Sequence, residues 1–290
     1  MENLADLNPD ENICGMLVGH PGSGKTSAIA SLATKDEPMF IFDVDGRAKG
    51  MKGSIDWLGE SMKYIDRQTF QTKNGFRELE KLIVHFSNQY DKRELKYKTL
   101  VFDSVGSISE MFLMDSQFQK GVKPGVDLST LQNKAGMRIV GNIAFPGPDD
   151  YNYGKRAWHS LFYNFFKYFT KCNIFLSAWT MDRWGKDPEF PYGPDVLLPG
   201  KQILATAKIA NELPGYFDEI WEFEKEETGR SNDPVAFKVK FTSRLAKTSI
   251  PQLAKCKSMD ITCKNFKSEL NKVIDPIGSI RKEIGIATKS

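Results

Sequence analysis

The segment Gly19-His20-Pro21-Gly22-Ser23-Gly24-Lys25-Thr26 satisfies G-x-x-x-x-G-K-[ST] at every fixed position. Each residue type in it suits the capture of a polyphosphate. Successive backbone N–H groups of such a loop wrap the phosphate oxygens, and the N-terminus of a following helix adds the positive end of its dipole. Gly22 and Gly24 let the main chain bend close to the ligand without a Cβ clash. The Lys25 ammonium is expected to reach the β- and γ-phosphates, and the Thr26 hydroxyl to sit on Mg²⁺. An apolar run at residues 13–18 and a helix-compatible stretch at residues 27–33 supply the strand before and the helix after that this spacing requires. The motif implies binding of a nucleoside triphosphate.

Carboxylates follow at two strand ends. An apolar run at residues 39–42 leads into Asp43-Val44-Asp45-Gly46, and Thr99-Leu100-Val101-Phe102 leads into Asp103-Ser104. Open α/β sheets keep their chemistry at the carboxyl ends of their strands. Downstream of a phosphate-binding loop, Asp103 is expected to hold Mg²⁺ together with Thr26, directly or through water. Period-two geometry puts Asp43 and Asp45 on one face, with Asp43 deeper in the sheet and less suited to chemistry. The alternative role for a strand-end aspartate is to cap the turn that follows. Residues 181–200 interleave Arg183, Trp184, Lys186 and Tyr192 with prolines and glycines. Cations among aromatics suit a single-stranded backbone with stacked bases. They suit a lid or hairpin over the nucleotide equally well.

These groups need a scaffold, and the chain can supply one. Its 290 residues, 40% hydrophobic and 27% charged, fit one large α/β domain or a domain with an appendage. A net charge of +3 neither requires nor opposes a nucleic-acid partner. Cys14, Cys172, Cys256 and Cys263 lack C-x-x-C spacing, and His20, His85 and His159 lie far apart, so no zinc site assembles from the sequence. The N-terminal residues 1–12 are polar and acidic, unlike a signal peptide, and no apolar run approaches a membrane span. A soluble cytoplasmic protein without a membrane partner is expected.

Strands are expected at residues 13–18, 39–42, 61–65, 99–103 and 173–178, and again at 216–223 and 236–241 around a polar turn at 227–233. Phe76, Leu79, Leu82, Ile83, Phe86 and Tyr90 recur at helical spacing, as do Trp158, Leu161, Phe162, Phe165, Phe166 and Phe169. An aromatic stripe of the second kind is expected in the core. Residues 203–213 read as a helix, and residues 117–153 as an irregular excursion, a length of loop usually reserved for function. The expected organisation is a tail at residues 1–12, a domain at 13–250, and a weakly helical segment and tail at 251–290.

Three segments together resemble the RecA-type ATPases: the loop from Gly19 to Thr26, Phe42-Asp43-Val44-Asp45-Gly46, and Leu100-Val101-Phe102-Asp103-Ser104. Over residues 13–250 the layout is also similar to small phage-encoded RecA-like proteins found beside single-strand annealing genes. In those, Gly200-Lys201 after a proline and Tyr216-Phe217-Asp218-Glu219-Ile220 have counterparts. The resemblance implies a three-layer αβα P-loop core with a mainly parallel sheet, the Asn173 strand lying between the Gly19 and Asp103 strands. It implies ATP and Mg²⁺ as cofactors, Asp45 as the base that activates water, and loops after Asp103 and Ala178 that face single-stranded DNA. It also implies a homo-oligomer with active sites between subunits. There Arg244 and Lys247, after the last strand and spaced for one face of a helical turn, would reach the next subunit's γ-phosphate. Two departures stand out. Asp45 occupies a position where glutamate is usual, and Ser177-Ala178-Trp179-Thr180 lacks the Gln or His-Glu common at that strand end.

The function so implied is ATP hydrolysis in the handling of single-stranded DNA, in phage-type recombination or replication. Two other readings stay open. An ATP-gated loader or assembly factor, with an annealing protein or helicase as partner, fits the modest charge. A P-loop kinase of a nucleotide or metabolite would need an arginine-bearing lid, and residues 181–201 carry Arg183 as their single arginine.

Overall fold

Strand-length apolar runs without polar alternation must be covered on both faces, which in a parallel sheet is done by crossover helices. The computed structural model describes residues 14–30, 32–48, 59–70, 75–122, 126–131, 138–140, 143–187, 190–205, 207–217, 219–230, 233–240 and 262–263. In chain order the first elements are β1 (Cys14–Gly19), α1 (Lys25–Ala30), β2 (Met39–Asp43), β3 (Ile65–Thr69), α2 (Gly75–Asp91), β4 (Thr99–Asp103) and α3 (Val105–Gln119). There follow β5 (Arg138–Val140), β6 (Ile143–Phe145), α4 (Pro148–Leu161), β7 (Asn173–Asp187), β8 (Phe190–Ile203), α5 (Ala207–Glu212), β9 (Glu219–Arg230), β10 (Asp233–Lys240) and β11 (Thr262–Cys263).

Six strands pair in parallel in the order β9-β1-β7-β4-β2-β3, and β10 and β11 extend the β9 edge antiparallel. The expected position of β7 between β1 and β4 holds. Alternation splits each strand between two cores. Met16, Val18, Phe40, Phe42, Leu100, Phe102, Ile174 and Leu176 pack against α2, α3 and α4. Leu17, Met39, Ile41, Val101 and Phe175 pack against Ala28, Ile29 and Ala30 of α1. The result is a three-layer α/β core. Register then does the positioning: Asp43 pairs with Asp103, and Gly19 pairs with Trp179 on one side and Phe223 on the other. All these residues gather at the carboxyl edge of the sheet.

Several elements depart from the sequence expectation. Residues 61–65 are not a strand; Gly59–Tyr64 is a 3₁₀ turn and the strand is Ile65–Thr69, largely exposed at the sheet edge, so it carries no apolar pattern. The excursion at 117–153 is more ordered than expected. Leu128 and Leu131 bury with Val122, Val126, Ile139 and Ala144, beside the two-stranded sheet of β5 and β6. Asp150, wholly buried, ties α4 to α3 by accepting from Ser116 Oγ at 2.6 Å and Gly147 N–H at 2.8 Å and by pairing with Lys120 at 2.7 Å. Residues 181–200, read as a loop with a lid or hairpin as the open alternative, form a β-hairpin from Thr180↔Ile203 to Asp187↔Phe190. Its register jumps fall where Pro199-Gly200 and Pro191 to Pro194 lie, so the breaker residues occupy bulges instead of ending the ladder. Ile203 therefore ends a strand, and the helix expected at 203–213 shrinks to Ala207–Glu212. Residues 213–216 form a 3₁₀ turn, and β9 with β10 runs as a ladder through most of the turn expected at 227–233.

The aromatic stripe is core, as expected. Trp158 is 1% exposed, stacks on Phe162, meets Phe112 edge-on, and donates from Nε1 to Ser109 Oγ at 3.0 Å. Trp158→Ala should therefore lower unfolding free energy by about 3–5 kcal/mol, as large-to-small core changes of this size do. Urea denaturation measures it, and an unchanged midpoint would remove the stripe from the core.

Candidate nucleotide-binding and hydrolytic site

The loop between β1 and α1 is shaped by close approach. A Cβ on Gly19 would stand 2.4 Å from the Phe223 carbonyl oxygen and 2.7 Å from Ser23 Oγ, so no side chain fits against β9 there. Gly22 and Gly24 have φ of 76° and 86°, conformations that glycine adopts without strain. The Ser23 N–H donates to the His20 carbonyl at 3.2 Å and closes the turn, leaving His20, Pro21 and Gly22 exposed at its crest. A Cβ on Gly22 would meet nothing within 4 Å, so the crest borders open space.

Lys25 is buried and bends over the loop, donating from Nζ to the carbonyls of Gly19 and His20 at 2.9 Å each and to Ser23 Oγ at 3.4 Å. Burial lowers its pKa to about 8, against the opposing pull of the Asp103 charge. Thr26, in the first turn of α1, donates from Oγ1 to Asp103 Oδ2 at 2.8 Å. The other Asp103 oxygen accepts from Ser177 Oγ on β7. The structure thus joins Thr26 to Asp103, with the Lys25 charge close enough to feel the carboxylate, and adds Ser177, the polar interruption in the apolar run of β7.

The two aspartates after β2 have different surroundings. Asp43 is 0% exposed and engaged: Arg67 Nη1 lies 2.7 Å from its Oδ2, and the Ala48 N–H stands 3.2 Å from both its oxygens. It anchors the turn on which Asp45 sits. Asp45 accepts from the Arg47 N–H at 3.2 Å, with Arg47 Nε 3.8 Å away. Burial, and next the nearby charge of Asp103, push its carboxyl up to about 6, while the Arg47 N–H works the other way. Asp45 opens on a pocket of about 500 Å³ bordered by Arg47, Trp179, Leu204 and the first turns of α3. A carboxyl of this kind can exchange a proton near neutral pH. The Arg47 guanidinium rests 4.5 Å over the Trp179 ring, a contact between distant segments that the sequence does not announce.

Arg183, Trp184 and Lys186 fall on β7 and Tyr192 between β8's paired ends, all in the hairpin; Tyr192 is fully exposed. Arg244 and Lys247 lie outside the described residues. No helix among the described residues is long and apolar enough to cross a membrane. Among known families, a model described as an AAA domain matches residues 11–258. No curated protein matches the chain.

The environment of Asp45 has a measurable consequence. Its carboxyl is raised from 3.8 to about 6, so the native state holds that proton more tightly than the unfolded chain. Its contribution to stability therefore declines as pH rises from about 4 through 6. Above that window the ionised carboxylate destabilises the fold by at most about 3 kcal/mol. Asp45→Asn should raise the denaturation midpoint at pH 8, with the gain shrinking toward pH 4. A gain independent of pH would overturn this account of Asp45.

Proposed function

The chain belongs to the AAA-domain family of P-loop ATPases, and from there we propose that it hydrolyses ATP with Mg²⁺ held by Thr26 and Asp103 and with Asp45 as base. The observation that carries the reading is the 2.8 Å hydrogen bond from Thr26 to Asp103, which unites residues 77 apart in the chain. A hydroxyl and a carboxylate are the hard oxygen donors that Mg²⁺ prefers. Thr26 and Asp103 would hold Mg²⁺, which would supply positive charge against the phosphates.

The protein's own groups do the rest. Lys25 exchanges the carbonyls of Gly19 and His20 for β- and γ-phosphate oxygens. The Asp45 carboxylate takes a proton from a water whose oxygen attacks the γ-phosphorus in line. The bond from that phosphorus to the bridging oxygen breaks, and ADP and inorganic phosphate leave. Arg244 and Lys247 would complete the site of a neighbouring subunit in a homo-oligomer.

Single-stranded DNA is the proposed partner of this hydrolysis, in recombination or replication. The support is the hairpin of β7 and β8, which prolongs the sheet past the edge that bears the site and carries cations and aromatics in its sequence. The net charge of +3 favours a second reading, an ATP-gated loader acting on a protein such as an annealing protein or helicase. The pocket beside Asp45 favours a third, transfer of the γ-phosphoryl to a small acceptor.

Phosphate release, with and without an oligodeoxythymidylate at two salt concentrations, separates these. Stimulation that fades with salt supports DNA; hydrolysis indifferent to DNA supports the protein partner; a phosphorylated acceptor in place of inorganic phosphate supports transfer. Lys25→Ala should abolish most ATP binding by calorimetry, and retained micromolar affinity would refute the loop assignment. Asp45→Asn should bind ATP normally and turn over about 10²–10⁴-fold more slowly, the usual worth of a general base. Equal turnover by that variant would remove Asp45 from the chemistry.

A further inference from the structure

Asp45 stands beyond the end of β2, and among the described residues the hydrogen bond and the ion pair that reach it both come from Arg47. The Arg47 side chain is 64% exposed, yet it does not simply trail into solvent. Its guanidinium lies 4.5 Å over the ring of Trp179. Trp179 is the residue at which β7 leaves the parallel sheet: it pairs with Gly19, and the next residue, Thr180, makes the first pair of the hairpin with Ile203. Its carbonyl also accepts the Leu204 N–H at 2.7 Å, where the chain leaves the hairpin. Asp45, Arg47, Trp179 and Leu204 border one pocket.

An ion pair at 3.8 Å with an arginine this exposed contributes little by charge alone. A planar guanidinium laid on an indole face contributes orientation, because the stack fixes the side chain and hence the turn that bears it.

We infer that Arg47 is a positioning residue, stacked on Trp179 so as to aim Asp45 at the attacking water and to set turnover from the root of the hairpin. This rests on the reading of Asp45 as base. Lysine retains the charge without the planar fork, and phenylalanine retains a ring face for the guanidinium.

The test is steady-state ATP hydrolysis, with ATP affinity measured separately by calorimetry, in Arg47→Ala, Arg47→Lys, Trp179→Phe, Trp179→Leu and the Arg47→Ala/Trp179→Leu pair, beside Asp45→Asn. Arg47→Ala and Trp179→Leu should each lower kcat by about 10- to 100-fold, the scale of a misplaced catalytic group. KM and ATP affinity should stay at wild-type values, Arg47→Lys should recover part of the loss, and Trp179→Phe most of it. The double variant should be no slower than the slower single, since both changes break one contact. Additive losses, a rise in KM in place of a fall in kcat, or Trp179→Phe as slow as Trp179→Leu would overturn the inference. Should Trp179→Leu fail to fold, the exposed Arg47 variants and Trp179→Phe decide the matter. Wild-type turnover in Asp45→Asn would overturn the underlying reading; a slow Asp45→Asn beside a fully active Arg47→Ala would overturn this inference alone.

Discussion

The Asp103 carboxylate is the group on which the geometry of this edge depends. It is 6% exposed, and a buried carboxylate is tolerated only when its oxygens find donors. Thr26 at the start of α1 supplies one, and Ser177 on β7 supplies the other. Its main-chain carbonyl accepts a third, the Val44 N–H at 2.8 Å. One residue thereby fixes the phosphate-loop helix, the strand between β1 and β4, and the turn that leads to Asp45. Removing either hydroxyl would leave part of a buried carboxylate unsatisfied, and losing the Val44 bond would leave a strand-end carbonyl without its donor, so the three segments hold one another in place.

Three acids and a lysine share this edge, and they are compensated unequally. Asp43 has a close arginine and a backbone N–H. Asp103 has its two hydroxyls, with the Lys25 charge nearby. Asp45 has an N–H at 3.2 Å and a guanidinium at 3.8 Å. Burial first, and the Asp103 charge next, act on the member with the weakest partners, and they raise the pKa of Asp45. The same imbalance that destabilises its ionised form brings its proton affinity near neutral pH, where a general base is most effective.

What was legible in the sequence follows from how locally each feature is determined. The loop from Gly19 to Thr26 was legible because its residue types answer to the ligand and to backbone angles within eight positions. The buried strands were legible because burial on both faces leaves a solid apolar run, as at Leu100 to Phe102. Strand β3 was not, since the last strand of a parallel sheet faces water and Asp66 to Thr69 look like loop. The hairpin was hidden by its own prolines and glycines, which read as breakers until the ladder shows them standing in bulges. The roles of Arg67 and Arg47 were beyond reach: Arg67 meets Asp43 across paired strands, Arg47 meets Trp179 across the sheet's carboxyl edge, and neither partner lies nearby in sequence.

The long strand β7 joins these themes. Within three residues it touches Asp103 through Ser177 and Arg47 through Trp179, and then becomes the hairpin at Thr180. Ser177 and Trp179 share a face because side chains alternate along a strand. A paired strand moves as a unit, because sliding any part of it would break hydrogen bonds to both neighbours. Ser177 and Trp179 thereby tie the root of the hairpin to Asp103 and to Arg47. Neither contact needs a dedicated relay, since both are built into the strand from which the hairpin grows. Its origin on β7 is what places an otherwise peripheral extension next to both contacts.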